Sequence, residues 1–119
     1  MKNATRNRVV HFEVLGRDTG VLRKFYSDAF GWSLGPADDS PLQYSMVHFT
    51  DGIEGGIGKA PEGPGHVTFY IGVDDLAAAL KDVEKSGGKT IQPPTPLPGG
   101  GAFAMFADPE GHVLGLVKD

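Results

Sequence analysis

Cysteine is absent from this chain. That excludes disulfides and thiolate metal sites and fits a reducing, cytoplasmic setting. Basic residues are scarce as well: 11 Lys and Arg against 15 Asp and Glu give a formal net charge of −4, and the basic ones are scattered. Nucleic-acid binding normally needs Lys and Arg clustered on one surface, so no nucleic-acid partner is expected. No apolar run has the length of a signal peptide or a membrane span. Lys2, Arg6 and Arg8, ahead of Val9-Val10, read as a short polar tail, and no membrane partner is expected either. Glycine and proline are in excess, at 18 and 9 of 119 residues, and fall between apolar runs rather than in a repeating tract. The pattern favours many short strands joined by turns, in one domain large enough to bury a core without staples.

Two stretches alternate apolar and polar residues at the two-residue period of a strand, Val10 to Val14 and His66 to Val73. Val10, Phe12 and Val14 in the first, and Val67, Phe69, Ile71 and Val73 in the second, should pack against helices. His11 and Glu13, with His66, Thr68 and Tyr70, should share the opposite face and line a polar cavity.

The segments after each strand follow one order. Asp18 or Thr19 can cap a helix from Val21 to Phe30 with Leu22, Phe25, Tyr26 and Ala29 on its buried side. Trp32-Ser33-Leu34, Gln43 to Phe49 and Ile53 to Gly58 read as strands, and Lys59 to Gly65 as a connector. In the second half, Asp74 or Asp75 can cap a helix from Leu76 to about Ser86, with a stripe of Leu76, Ala79, Leu80 and Val83. Lys89 to Gln92, Ala102 to Ala107 and His112 to Lys118 follow as strands, with Pro93 to Gly101 a loop. His11 and His66 are 55 residues apart, and the turn glycines Gly52 and Gly111 are 59 apart. A spacing near half the chain length indicates an internal duplication.

Val10-His11-Phe12-Glu13, Phe25-Tyr26 running into Phe30-Gly31-Trp32, His66, and Asp108-Pro109-Glu110-Gly111-His112 together resemble the vicinal oxygen chelate superfamily. That family includes glyoxalases, bleomycin-resistance proteins and extradiol dioxygenases, and the resemblance covers nearly the whole chain. It implies an α+β fold: two βαβββ units, about 9–58 and 66–118, forming a curved mixed sheet around a cavity with helices outside. It also implies a homodimer and a small-molecule ligand. Metal-using members place a His on the first strand of each half and an oxygen ligand on the last, four residues past the turn glycine. His11 and His66 match the histidines. The carboxylate positions read Gly56 and Gly115, so a zinc, nickel, iron or manganese site would be incomplete, because catalytic zinc usually keeps three protein ligands plus water.

His11, His66 and Glu54 are therefore the candidate catalytic residues, with His11 and His66 also the candidate metal ligands. A histidine with a pKa near neutrality can serve as general acid or base without metal. Glu13, Tyr70, Phe103 and Met105 are candidate substrate contacts, the last three as an adaptable wall or equally as plain core. His48 and His112 flank turns and carry no expected role. Three functions remain open: a metal-dependent enzyme of the glyoxalase type, a metal-free binder that sequesters a hydrophobic compound, and a metal-free acid–base enzyme.

Overall fold

A computed structural model of the protein describes residues 7–98 and 100–119. Lys2 and Arg6 of the expected tail, and Gly99 of the expected loop, lie outside them. The elements run β1 (Val9–Gly16), α1 (Thr19–Phe30), β2 (Ser45–Val47), β3 (Glu54–Lys59), β4 (His66–Val73), α2 (Leu76–Lys85), β5 (Lys89–Pro96), β6 (Ala102–Ala107) and β7 (Val113–Lys118). They divide into two compact units, His11–Thr68 and, among the described residues, 7–10 with Phe69–Asp119. The α+β class and the repeated order of strand, helix and further strands are as expected.

Two aspartates start the two helices. Asp18 accepts from the Val21 amide and Asp75 from the Ala78 amide, each at 3.0 Å, satisfying donors that a first turn leaves open. Gly31 ends α1.

In the unit His11–Thr68, β3 runs parallel to β1 and antiparallel to β2. The register sets Phe12 beside Gly55 and Val14 beside Ile57, with Ser45 beside Ile57 and Val47 beside Gly55. Ile57, Val47 and Ser45 are fully buried on this face. The other face carries His11, Glu13, Glu54, Gly56 and Met46, because side chains alternate across a strand.

In the second unit, β4 runs parallel to β7, while β6 is antiparallel to both β7 and the edge strand β5. One face meets α2. Val73, Leu76, Leu80, Ala104, Phe106 and Leu116 form its core, flanked by Ile71, Ala79, Val83, Ala102 and Leu114. The expected α2 stripe is all there, and full burial of each larger side chain contributes about 1.5–3 kcal/mol. The turn before β7 is closed by Asp108, whose Oδ1 accepts from the Glu110 and His112 amides at 2.9 Å each.

Four expectations are corrected. Val67 and Phe69 do not pack under a helix; they are 72% and 37% exposed, while Thr68 and Tyr70 on the polar face are buried. A ten-residue helix is only about 15 Å long, and of the apolar set on β4 only Ile71 and Val73 reach the α2 core. On α1, Phe25 and Ala29 are exposed rather than buried. Trp32-Ser33-Leu34 is not a strand, since it forms a single bridge from Leu34 to Val47. Pro93 to Pro96 continue β5 instead of forming a loop. An edge strand tolerates proline, which lacks only the donor that would face outward, and the register shifts around Gln92 absorb the irregularity.

Candidate functional site

The polar face of the unit His11–Thr68 holds most of the ionisable residues singled out in the sequence. The parallel register places His11 directly beside Glu54 and Glu13 beside Gly56. His11 is half-buried, and its pKa is pushed below the usual imidazole value of 6.5, chiefly by loss of hydration and partly offset by the charge of Glu54. The ring is therefore held towards its neutral form.

Tyr44 is the partner of His11. Its hydroxyl lies 2.8 Å from His11 Nε2, and the two rings stack with centroids 6.2 Å apart and planes 18° from parallel. The Tyr44 ring also lies over Gly56, in space that a Cβ on that residue would need. The loop before it is tied to Asp38: the carboxylate accepts from the Tyr44 amide at 3.1 Å and from the Ser40 hydroxyl at 2.6 Å, and the Asp38 amide donates to the Tyr44 carbonyl at 2.9 Å. The Ser40 hydroxyl, with the Tyr44 and Ser40 amides, holds the Asp38 carboxyl below its usual range. Gln43, one residue ahead of Tyr44, adopts a left-handed φ of 48°, and its side chain accepts from the Thr19 hydroxyl at 3.0 Å.

Two further pairs complete this face. Glu54 meets His48 Nδ1 in a close contact, and His66 Nε2 stands 3.9 Å from Glu13 Oε2, the glutamate being buried. The expected residues His11, Glu54, Glu13 and His66 thus each find a polar neighbour within this unit. Tyr44 and His48 are not among the site residues expected from the sequence. The alternation within Gln43 to Phe49 puts Tyr44, Met46 and His48 on one side, which is the signal that could have found them.

In the second unit, Tyr70, Gly115 and Met105 stand in line across β4, β7 and β6, and Phe103 lies beside Val117. The Tyr70 ring occupies the space that a side chain on Gly115 would fill. Tyr70 is buried, whereas Phe103 and Met105 are half-buried on the face away from the α2 core.

A divalent ion can be tested against these donors. Nε2 of His11 is shared with a phenol, and whichever partner donates, that nitrogen has no lone pair left for a metal. Both glycines at the implied carboxylate positions lie under tyrosine rings. Among the described residues, no three His, Asp or Glu side chains converge on one point. The residues present do not fit a divalent ion.

Comparison with known proteins agrees with this architecture. A curated relative, the glyoxylase-like domain-containing protein of Didymella fabae, is 37% identical over 108 residues, covering 84% of each chain. The lactoylglutathione lyase of Haemophilus influenzae is 28% identical and covers 94% of this chain and 93% of its own. Other curated relatives are longer, and the chain spans 30% to 44% of their length. Among solved structures, methylmalonyl-CoA epimerase from Mycobacterium tuberculosis superposes with a TM-score of 0.74 at 16% identity, over 98% of this chain and 92% of that one. That likeness concerns the fold. The model of the Glyoxalase/Bleomycin resistance protein/Dioxygenase superfamily matches residues 8–116, and the chain belongs to that superfamily.

Proposed function

We propose that the protein binds or acts on a small organic molecule at the polar face of β1 and β3, using His11 and its neighbours and no resident divalent metal. The observation that carries this reading is the 2.8 Å hydrogen bond between His11 Nε2 and the Tyr44 hydroxyl. It presents a half-buried imidazole, held towards neutrality, next to a phenol and the Glu54 carboxylate. The pair can take a proton from a bound ligand by relay, the Tyr44 oxygen accepting it as the Tyr44 proton passes to His11 Nε2, and return it the same way with no net change in the protein. Glu54 and His66 are the further acid–base candidates. Glu13 is the ligand contact on this face; in the second unit, taken by itself, Tyr70, Phe103 and Met105 are the candidate contacts.

A second reading has one observation in its favour, the full-length likeness to a protein named lactoylglutathione lyase. It would make the chain a metal-dependent lyase, isomerase or dioxygenase of the glyoxalase type, against which the donor set described above weighs. A sequestering binder uses the same face without proton transfer. A cytoplasmic homodimer belongs to the proposal as well.

Ligand-observed NMR with a library of small oxygenated organic compounds tests the site. Hits that weaken by roughly tenfold or more on His11→Ala, as expected when a polar anchor is removed, support it. Hits indifferent to His11, Glu54 and His66 substitutions contradict it.

A further inference from the structure

We propose that Tyr44 is what removes this half of the molecule from metal chemistry, its ring filling the space of a ligand side chain over Gly56 and its hydroxyl occupying Nε2 of His11. Gly56 lies between Glu13 of β1 and Met46 of β2, at the centre of the three-stranded sheet and on the same face as the His11–Glu54 pair, two residues further along. The tyrosine ring spans this residue and reaches Gly58 two positions on, where an added Cβ would stand 2.8 Å from Tyr44 Cδ1 and 3.1 Å from a Leu15 methyl carbon. A carboxylate side chain at position 56 and the Tyr44 ring cannot share that volume. The two glycines are therefore the counterpart of the ring, since a close approach to the backbone requires them.

Tyr44 is held in this position by more than its own packing. The Asp38 carboxylate fixes its amide, and the backbone before it is turned through the left-handed Gln43, a conformation that costs about 1–2 kcal/mol in an L-residue. Strain immediately ahead of one side chain, offset by the Gln43 contact with Thr19, places that side chain. The second unit shows the same exchange carried by a different strand: Tyr70 of β4 lies over Gly115 of β7. Two separate tyrosine rings thus fill two glycine positions that stand 59 residues apart.

The inference rests on the metal-independent reading of the site, and its test separates the two. Cobalt(II) is titrated into the full chain and into its variants, followed by the visible absorption of the bound ion. The wild type and Gly56→Glu should bind none at micromolar concentration. Tyr44→Ala/Gly56→Glu should bind at micromolar concentration, at least about tenfold tighter than the limit that Gly56→Glu sets, the scale on which a ligand's surroundings alter metal affinity. Independently of metal, Gly56→Ala should lower the melting temperature by several degrees in the wild type but have little effect on Tyr44→Ala. Cobalt bound by the wild type overturns both the inference and the metal-independent reading. A double variant no better than Gly56→Glu, or a Gly56→Ala cost that is the same with and without Tyr44, overturns the role of Tyr44 alone.

Discussion

The Tyr44 hydroxyl sits 2.8 Å from His11 Nε2 while its ring lies on Gly56, so one side chain both orients the histidine and closes the floor beside it. The two contributions separate by substitution. Tyr44→Phe keeps the ring and removes the hydrogen bond, which should cost about 1 kcal/mol, the usual net worth of one such bond. Tyr44→Ala also leaves the glycine floor uncovered and should cost about 2–4 kcal/mol, somewhat below a fully buried aromatic truncation. Urea unfolding of the three proteins measures both steps, and equal costs for Phe and Ala would show that the hydroxyl alone matters.

His11 should leave a mark on the pH dependence of stability. Its folded pKa lies below the ordinary value of 6.5 because burial disfavours the charged ring. Below pH 6.5 the unfolded chain takes up a proton that the folded chain does not, so stability falls as pH drops from there towards the folded value. The loss is complete once the folded ring is protonated too. His11→Gln should flatten this part of the profile, measured as melting temperature between pH 7.5 and pH 5; an unchanged slope would place the titration elsewhere.

Ser45 offers an opposite case. It is fully buried beside Ile57 and Val47, and among the described residues its hydroxyl has no hydrogen-bond partner. A buried, unsatisfied hydroxyl costs about 1–3 kcal/mol. Ser45→Ala should therefore be neutral or stabilising by up to about 1 kcal/mol, once the small cavity left by the oxygen is charged against it. A clear loss of melting temperature would mean that the hydroxyl is satisfied in solution.

Much of this arrangement was legible in the sequence, and the failures have physical causes. The bounds of β4 and β6, and nearly those of α2, followed from alternation and helical spacing. Alternation sorts residues into two faces but does not say which face is covered, and Val67 and Phe69 were misplaced for that reason. Period two puts His11 and Glu54 each on a polar strand face, but their adjacency, like the Tyr44–His11 bond, depends on how β1, β2 and β3 are registered. Register is set by long-range pairing, and no local pattern supplies it. The segment expected as a strand at Trp32 makes only the bridge from Leu34 to Val47, and Trp32 instead stacks on Tyr26 with ring centroids 4.8 Å apart.

The proposed homodimer would cover exposed apolar side chains. Val21, Phe25 and Phe30 on α1 are 63%, 54% and 65% exposed, an apolar grouping larger than single scattered residues. Light scattering at micromolar concentration should give about twice the 12.6 kDa chain mass, in keeping with the twofold pairing that is commonest among oligomers. Substituting Phe25 and Phe30 by Lys should shift the mass towards the monomer, and a wild-type monomer would contradict the proposal.

Elemental analysis of protein purified without chelators tests the central claim, that the site works without a resident metal. His11 Nε2 is taken by Tyr44, and both glycine positions lie under tyrosine rings, so too few donors remain for a tightly held ion. The expected result is zinc, nickel, iron and manganese together well below one equivalent per chain. Any one of them near one equivalent would contradict it and restore the glyoxalase-type reading.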